Sequence, residues 1–66
     1  MNKVKKIARG KYEYRGYIIQ CFGYYHPEHR VCWEGINQEG DADAHGYSKR
    51  QVIIEIDYLL DGTYKV

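Results

Sequence analysis

The sequence predicts an α+β fold, a three-stranded antiparallel sheet with one C-terminal amphipathic helix packed on one face, in the order β-β-β-α. Three observations point there. Two stretches rich in β-branched and aromatic residues, Tyr12 to Tyr25 and Arg30 to Asn37, flank a proline-containing segment. A turn signal and a shorter third stretch follow, and apolar residues then recur at helical spacing behind a capping pattern. With 66 residues the chain hides only about 60% of the surface its unfolded form exposes, enough for one small core and no second domain. Such a core cannot both wrap a cofactor and build a catalytic cleft, so neither an enzyme nor a cofactor is expected.

Residues 1–11 read as a basic N-terminal arm and residues 12–62 as the single domain. Within the first hairpin, His26-Pro27-Glu28-His29 forms the loop, because proline presets the first central position of a type I turn. That loop sets Tyr25 opposite Arg30, Tyr24 opposite Val31 and Phe22 opposite Trp33. Asn37-Gln38-Glu39-Gly40 reads as a second turn and Asp41 to Tyr47 as a short, acidic third strand. Ser48 followed by Gln51 is a capping box. Val52, Ile53, Ile56, Leu59 and Leu60 then cover an arc of roughly 120°, and Gly62 supplies a left-handed stop. The helix is expected over residues 49–61.

Strand alternation splits the hairpin into two sets of side chains. Tyr12, Tyr14, Gly16, Ile18, Gln20, Phe22 and Tyr24 with Val31, Trp33 and Gly35 carry no charge. This set is expected to form the core, because an unpaired charge under a helix costs several kcal/mol. The other set would face outward, with Arg15, Tyr17, Ile19, Cys21, Tyr25, Arg30, Glu34 and Ile36. In the competing assignment the arm covers part of this set, or a bulge moves it into the core. As an exposed patch, Arg15, Tyr17, Ile19, Tyr25, Arg30 and Ile36 would bind a partner, since tyrosine and arginine are enriched where proteins meet other macromolecules. Ile54 and Tyr58, four apart on the helix face away from the apolar stripe, are a candidate dimer contact, so the chain is read as a monomer or a homodimer.

The net charge of +1 conceals blocks. Residues 1–15 carry six cations against Glu13 alone, a local balance of +5, and residues 16–48 carry Arg30 against five carboxylates, or −4. Lys3, Lys5, Lys6, Arg9 and Lys11 are therefore the candidate nucleic-acid contacts, if the arm is more than a solvated tail. No apolar run approaches the roughly 20 residues of a membrane span, and MNKVKKIARGK lacks the apolar centre of a signal peptide. A cytoplasmic protein without a membrane partner is expected.

Cys21, His26, His29 and Cys32 invite a zinc reading, but Cys21 lies about 16 Å from His26 along an extended strand, whereas zinc ligands converge within about 2.3 Å of one ion. No metal site is expected. A Cys21–Cys32 disulfide would contribute about 3 kcal/mol through a loop of about 12 residues. The proline-compatible register makes the two cysteines diagonal neighbours, so reduced thiols are expected. Ser48 is explained as a cap, which leaves no nucleophile beside an oriented histidine.

The run Tyr14-Arg15-Gly16-Tyr17-Ile18, then Trp33, Gly40 and Gly46-Tyr47-Ser48 leading into Val52, Ile56 and Asp57, resembles small proteins of bacteriophages and other mobile elements over about residues 12 to 60. Two groups of such compact chains are similar. One is the DNA-binding arm domain of conjugative-transposon integrases, whose exposed sheet face enters the major groove. The other comprises phage inhibitors of host defence, including anti-CRISPR proteins. The resemblance implies a non-enzymatic protein that binds a host protein, such as a CRISPR effector nuclease, in a bacterial cytoplasm, with double-stranded DNA binding through sheet face and basic arm as the alternative. A tyrosine patch of mixed charge suits the first better, since Glu28, Glu34, Glu39, Asp41 and Asp43 would repel phosphate.

Overall fold

The structure, a computed structural model, describes residues 3–62, apart from the side chain of Glu28. The fold is α+β with an antiparallel sheet and one C-terminal helix, but the sheet has five strands rather than three. Strands β1 (Lys5–Ala8), β2 (Lys11–Tyr14), β3 (Tyr17–Tyr25), β4 (Arg30–Ile36) and β5 (Ala42–Gly46) lie side by side in sequence order, and α1 (Lys49–Asp61) follows. Both additional strands arise at the N-terminal end. Lys5–Ala8 of the expected arm pairs with β2 as an edge strand, while residues 1 and 2 of that arm lie outside the described residues.

The expected single strand from Tyr12 to Tyr25 is broken at Arg15-Gly16. Both residues have positive φ, 50° and 87°, as a type I′ hairpin turn requires. Tyr14 consequently pairs with Tyr17 across the turn, and paired residues share a face of the sheet. The turn uses up two positions, so the alternation that would run on from Tyr14 to Gly16 and Ile18 passes instead to Tyr17 and Ile19. A slip of one position reverses every later side chain.

The core follows this reversed alternation. Tyr14, Tyr17, Ile19 and Ala44 are buried beneath Val52 and Ile56 of α1, with Val4, Tyr12, Trp33 and Ile53 packed around them. Ile19, expected outside, is fully buried, and Tyr17 joins it. Ile18, expected inside, pairs with Ile36 on the opposite face. Each fully buried aliphatic side chain contributes about 1.5–3 kcal/mol. Of the expected core only Tyr12, Tyr14, Trp33 and Gly35 remain covered on the helix side.

A second irregularity acts further along. Tyr25–Arg30 and Tyr24–Val31 pair as expected around a short 3₁₀ turn at His26–Glu28. A bulge between Cys21 and Gly23 then places Cys21, not Phe22, opposite Trp33. Phe22, Tyr24 and Val31, all assigned to the core by sequence, are exposed. The bulge also sets Cys32 opposite Gly23, so by alternation the two free cysteines stand on opposite faces, where no disulfide can join them.

The β4–β5 turn is held by Asn37, whose Oδ1 accepts from the Glu39 and Asp41 amides at 2.8 and 3.0 Å. The helix has the expected bounds. Ser48 Oγ accepts from the Gln51 amide at 3.2 Å, and Gln51 Oε1 reaches back to the Tyr47 amide at 2.6 Å. Its buried stripe is narrower than expected. Val52 and Ile56 are covered, whereas Leu59 and Leu60 are exposed.

Gly35 lets α1 approach the sheet. A Cβ there would stand 3.0 Å from both Ala44 Cβ and Val52 Cγ1 and 3.2 Å from Ile56 Cδ1. Overpacking of this kind costs about 1–3 kcal/mol. Gly35→Ala is therefore expected to lower stability in urea unfolding by about that amount. Adding Ala44→Gly should recover part of the loss, and full independence of the two effects would contradict the packing described.

Candidate functional site

Arg15 and Tyr17, expected in a partner-binding patch, belong instead to a polar network beneath and beside α1. Asp57, 5% exposed, accepts from the Tyr14 hydroxyl at 2.8 Å and from Arg15 Nη1 at 2.8 Å. Arg15 also forks onto Asp61, with Nη2 donating to Oδ1 at 2.9 Å and Nη1 to Oδ2 at 3.0 Å. A charge this deep persists only when paired and hydrogen-bonded. The Asp61 and then the Asp57 hydrogen bonds hold the Arg15 guanidinium more firmly protonated than usual. Tyr17 is buried and donates to Asp43 Oδ2 at 3.3 Å. With Ile19 in the core as well, three of the six expected contact residues are structural.

The other three lie on the sheet face that α1 does not cover. There Ile18 pairs with Ile36 and Gln20 with Glu34, and Gln20 Nε2 donates to Glu34 Oε2 at 2.7 Å. Where β5 ends, an open groove of about 480 Å³ runs past β4, lined by Phe22, Tyr25, Cys32, Trp33, Glu34, His45, Gly46 and Tyr47. The Phe22 and Tyr25 rings meet edge-on with centroids 6.4 Å apart. Arg30 lies over the Tyr47 ring, its Cζ 4.0 Å from the centroid, a geometry favourable to a cation–π contact. Phe22 is 61% exposed, Tyr25 41% and Tyr47 40%.

Sequence reasoning placed Tyr25, Arg30, Glu34 and Ile36 on this face and missed Phe22, His45 and Tyr47 as groove residues. Gly23 was the available signal for the bulge that turns Phe22 outward. Nothing in the sequence marks Tyr47, which arrives because it is the one residue between the end of β5 at Gly46 and the helix cap Ser48. Of the other expected contacts, Lys3, Lys5, Lys6, Arg9 and Lys11 are all exposed, from just before β1 to the first residue of β2. On α1, Ile54 is half-buried and Tyr58 exposed. Among the described residues no three of His, Cys, Asp and Glu form a metal-ligand group, and no helix is long and apolar enough to cross a membrane.

The buried phenols make stability depend on alkaline pH. Burial, reinforced by Asp57, raises Tyr14 above its ordinary value of 10.0, and burial with the Asp43 charge does the same for Tyr17. The folded state thus holds these two protons more tightly than the unfolded chain. Their contribution is complete below about pH 10 and is lost as pH rises through the folded values. Denaturant midpoints should fall with pH above about 10, and Tyr14→Phe with Tyr17→Phe should flatten that fall. At neutral pH Tyr14→Phe is expected to cost about 1.5–3 kcal/mol, the worth of a hydrogen bond to a charged group. A Tyr14→Phe variant as stable as the parent would remove Asp57 from the account of the fold.

Comparison with protein-family models, with curated proteins and with solved structures finds no match to this chain.

Proposed function

We propose that this chain is a small non-enzymatic binding module that holds another protein in the groove beside β4. The observation that carries this reading is the exposure of Phe22, Tyr25 and Tyr47 around one concavity, with Arg30 stacked at its rim. Aromatic side chains and arginine dominate the energetics of protein interfaces because they offer large, nearly rigid area with polar tips. The supporting ribbon also projects. β2 reaches β3 only as far as Gln20, and β5 reaches β4 only from Trp33 onward, so the pairs from Gly23–Cys32 to Tyr25–Arg30 have no strand on either side. A host protein, such as a defence nuclease, is the partner that the resemblance implies; the groove specifies an apolar, aromatic-accepting surface with Glu34 and Arg30 for polar contacts.

Duplex DNA fits this face less well. Arg15, one of the two arginines expected to read it, is committed to Asp57 and Asp61, and Glu34 stands in the groove. Phosphate neutralisation requires cations where those groups are.

Phe22→Ala and Tyr25→Ala remove exposed surface, so each should leave the thermal unfolding midpoint nearly unchanged. A photo-crosslinking residue at position 22 should capture a discrete protein in cells of the source organism, and the Tyr25→Ala background should abolish that adduct. The same probe at Glu39, far from the groove, is the control. Equal capture from both positions, or capture indifferent to Tyr25→Ala, would remove the groove as the site.

A further inference from the structure

Lys5 and Lys11 alternate to the outer face, but Lys6 and Lys49 stand on the helix side of the sheet and frame a second surface. Every lysine and arginine from residue 3 to residue 11 is exposed. Lys6 pairs with Tyr12 and therefore shares its face, on the α1 side of the sheet. Lys49, at the start of α1, lies over the same ring, its Nζ 4.2 Å from the centroid. Tyr12 in turn meets Trp33 with centroids 6.2 Å apart and planes tilted by 39°. Both rings are only partly buried at the margin of the core. Glu13 is the sole carboxylate between residues 3 and 15, and alternation turns it to the opposite face from Tyr12.

Lysines on an edge strand are commonly explained as protection against edge-to-edge pairing, and Lys5 and Lys6 serve that purpose on β1. That explanation does not reach Lys49 or Arg50. The first turn of α1 carries these two cations and no acidic residue, the reverse of what the helix dipole favours. Nor does it account for a half-exposed pair of aromatic rings among the cations. Positive charge beside flat π faces is the combination that binds single-stranded nucleic acid, in which phosphates follow the cations and a base stacks on a ring.

We propose that the ledge formed by Tyr12 and Trp33 binds single-stranded nucleic acid, with Lys6, Arg9 and Lys49 contacting its phosphates. Tyr12, Lys6 and Lys49 stand apart from the aromatic groove, whereas Trp33 borders both sites.

Trp33 is the only tryptophan, so its fluorescence reports on binding at the ledge, and the Lys6, Lys49 and Tyr12 variants separate this from binding in the groove that Trp33 also lines. Titrating the intact chain with a short oligo-dT strand should quench that signal, with an affinity that falls as salt rises. Lys6→Ala with Lys49→Ala should reduce the slope of log affinity against log salt by about 1.4, two contacts at about 0.7 each for a single strand. Tyr12→Ala should weaken binding by about tenfold or more. Because Tyr12 borders the core, unfolding is measured alongside, and the lysine pair carries the test if that variant unfolds. Absence of quenching at low salt would overturn the proposal. So would equal quenching and affinity with polyglutamate of matched charge, which would make the ledge a site for acidic protein segments.

Discussion

The turn at Arg15-Gly16 governs the rest of the structure. Its two positive φ angles close a hairpin over two residues and so decide which side chains of β3 lie under α1. An arginine in the left-handed region is disfavoured, since its Cβ crowds the backbone. The conformation is retained because the Arg15 side chain then reaches α1, where it pairs with Asp57 and Asp61. One residue pair therefore links the phase of the sheet to the docking of the helix. Tyr14, immediately before the turn, completes the link by donating to the same Asp57 oxygen. A buried aspartate so surrounded acts as a polar latch between two layers whose other contacts include Val52 and Ile56 in the core and Lys49 over the Tyr12 ring.

The exposed aromatic surface follows from a mismatch in length. The nine residues of β3 extend about 30 Å, whereas the thirteen of α1 rise about 20 Å. The helix can cover the sheet near Tyr14, Ile19, Gly35 and Ala44, and the far end of the β3–β4 hairpin runs beyond it. Phe22, Tyr24, Tyr25 and Val31 are exposed there because no layer is left to cover them. Among the described residues α1 is the one α-helix, and it lies on the other face. Large apolar side chains at such a place are surface held in position by the hairpin, which the flanking strands anchor at its base.

Charge is sorted by the same topology. The basic segment, instead of trailing as an arm, is laid along the edge of the sheet by pairing of β1 with β2. Its alternation sends Lys6 toward Tyr12 and α1, and Lys5 toward Glu13. The acidic residues that follow are divided between a turn, where Asn37 organises Glu39 and Asp41, and structural contacts such as Asp43 with Tyr17 and Asn37. A near-neutral total thus resolves into surfaces of different character, one aromatic with mixed charge and one aromatic with cations.

Local chemistry was sufficient where an element is specified by its own residues. Ser48, Gln51 and Gly62 set both ends of α1, proline placed the β3–β4 loop with Tyr25 opposite Arg30, and Asn37 marked the last turn; each signal acts within a few residues. The sequence alone therefore determined an α+β domain with a C-terminal helix, one hairpin register and part of an aromatic face, including Tyr25 and Arg30. It did not determine the number of strands or the buried face. Those depend on an arginine accepting positive φ, which lacks the usual Asn-Gly or Asp-Gly signature and is stabilised by Asp57 and Asp61, more than forty residues away. The bulge at Phe22 is equally nonlocal, being defined by what stands opposite on β4. Because side chains alternate with period two, these two departures were enough to exchange Ile18 for Ile19 and Phe22 for Tyr17 in the core, and only tertiary contacts could decide that exchange.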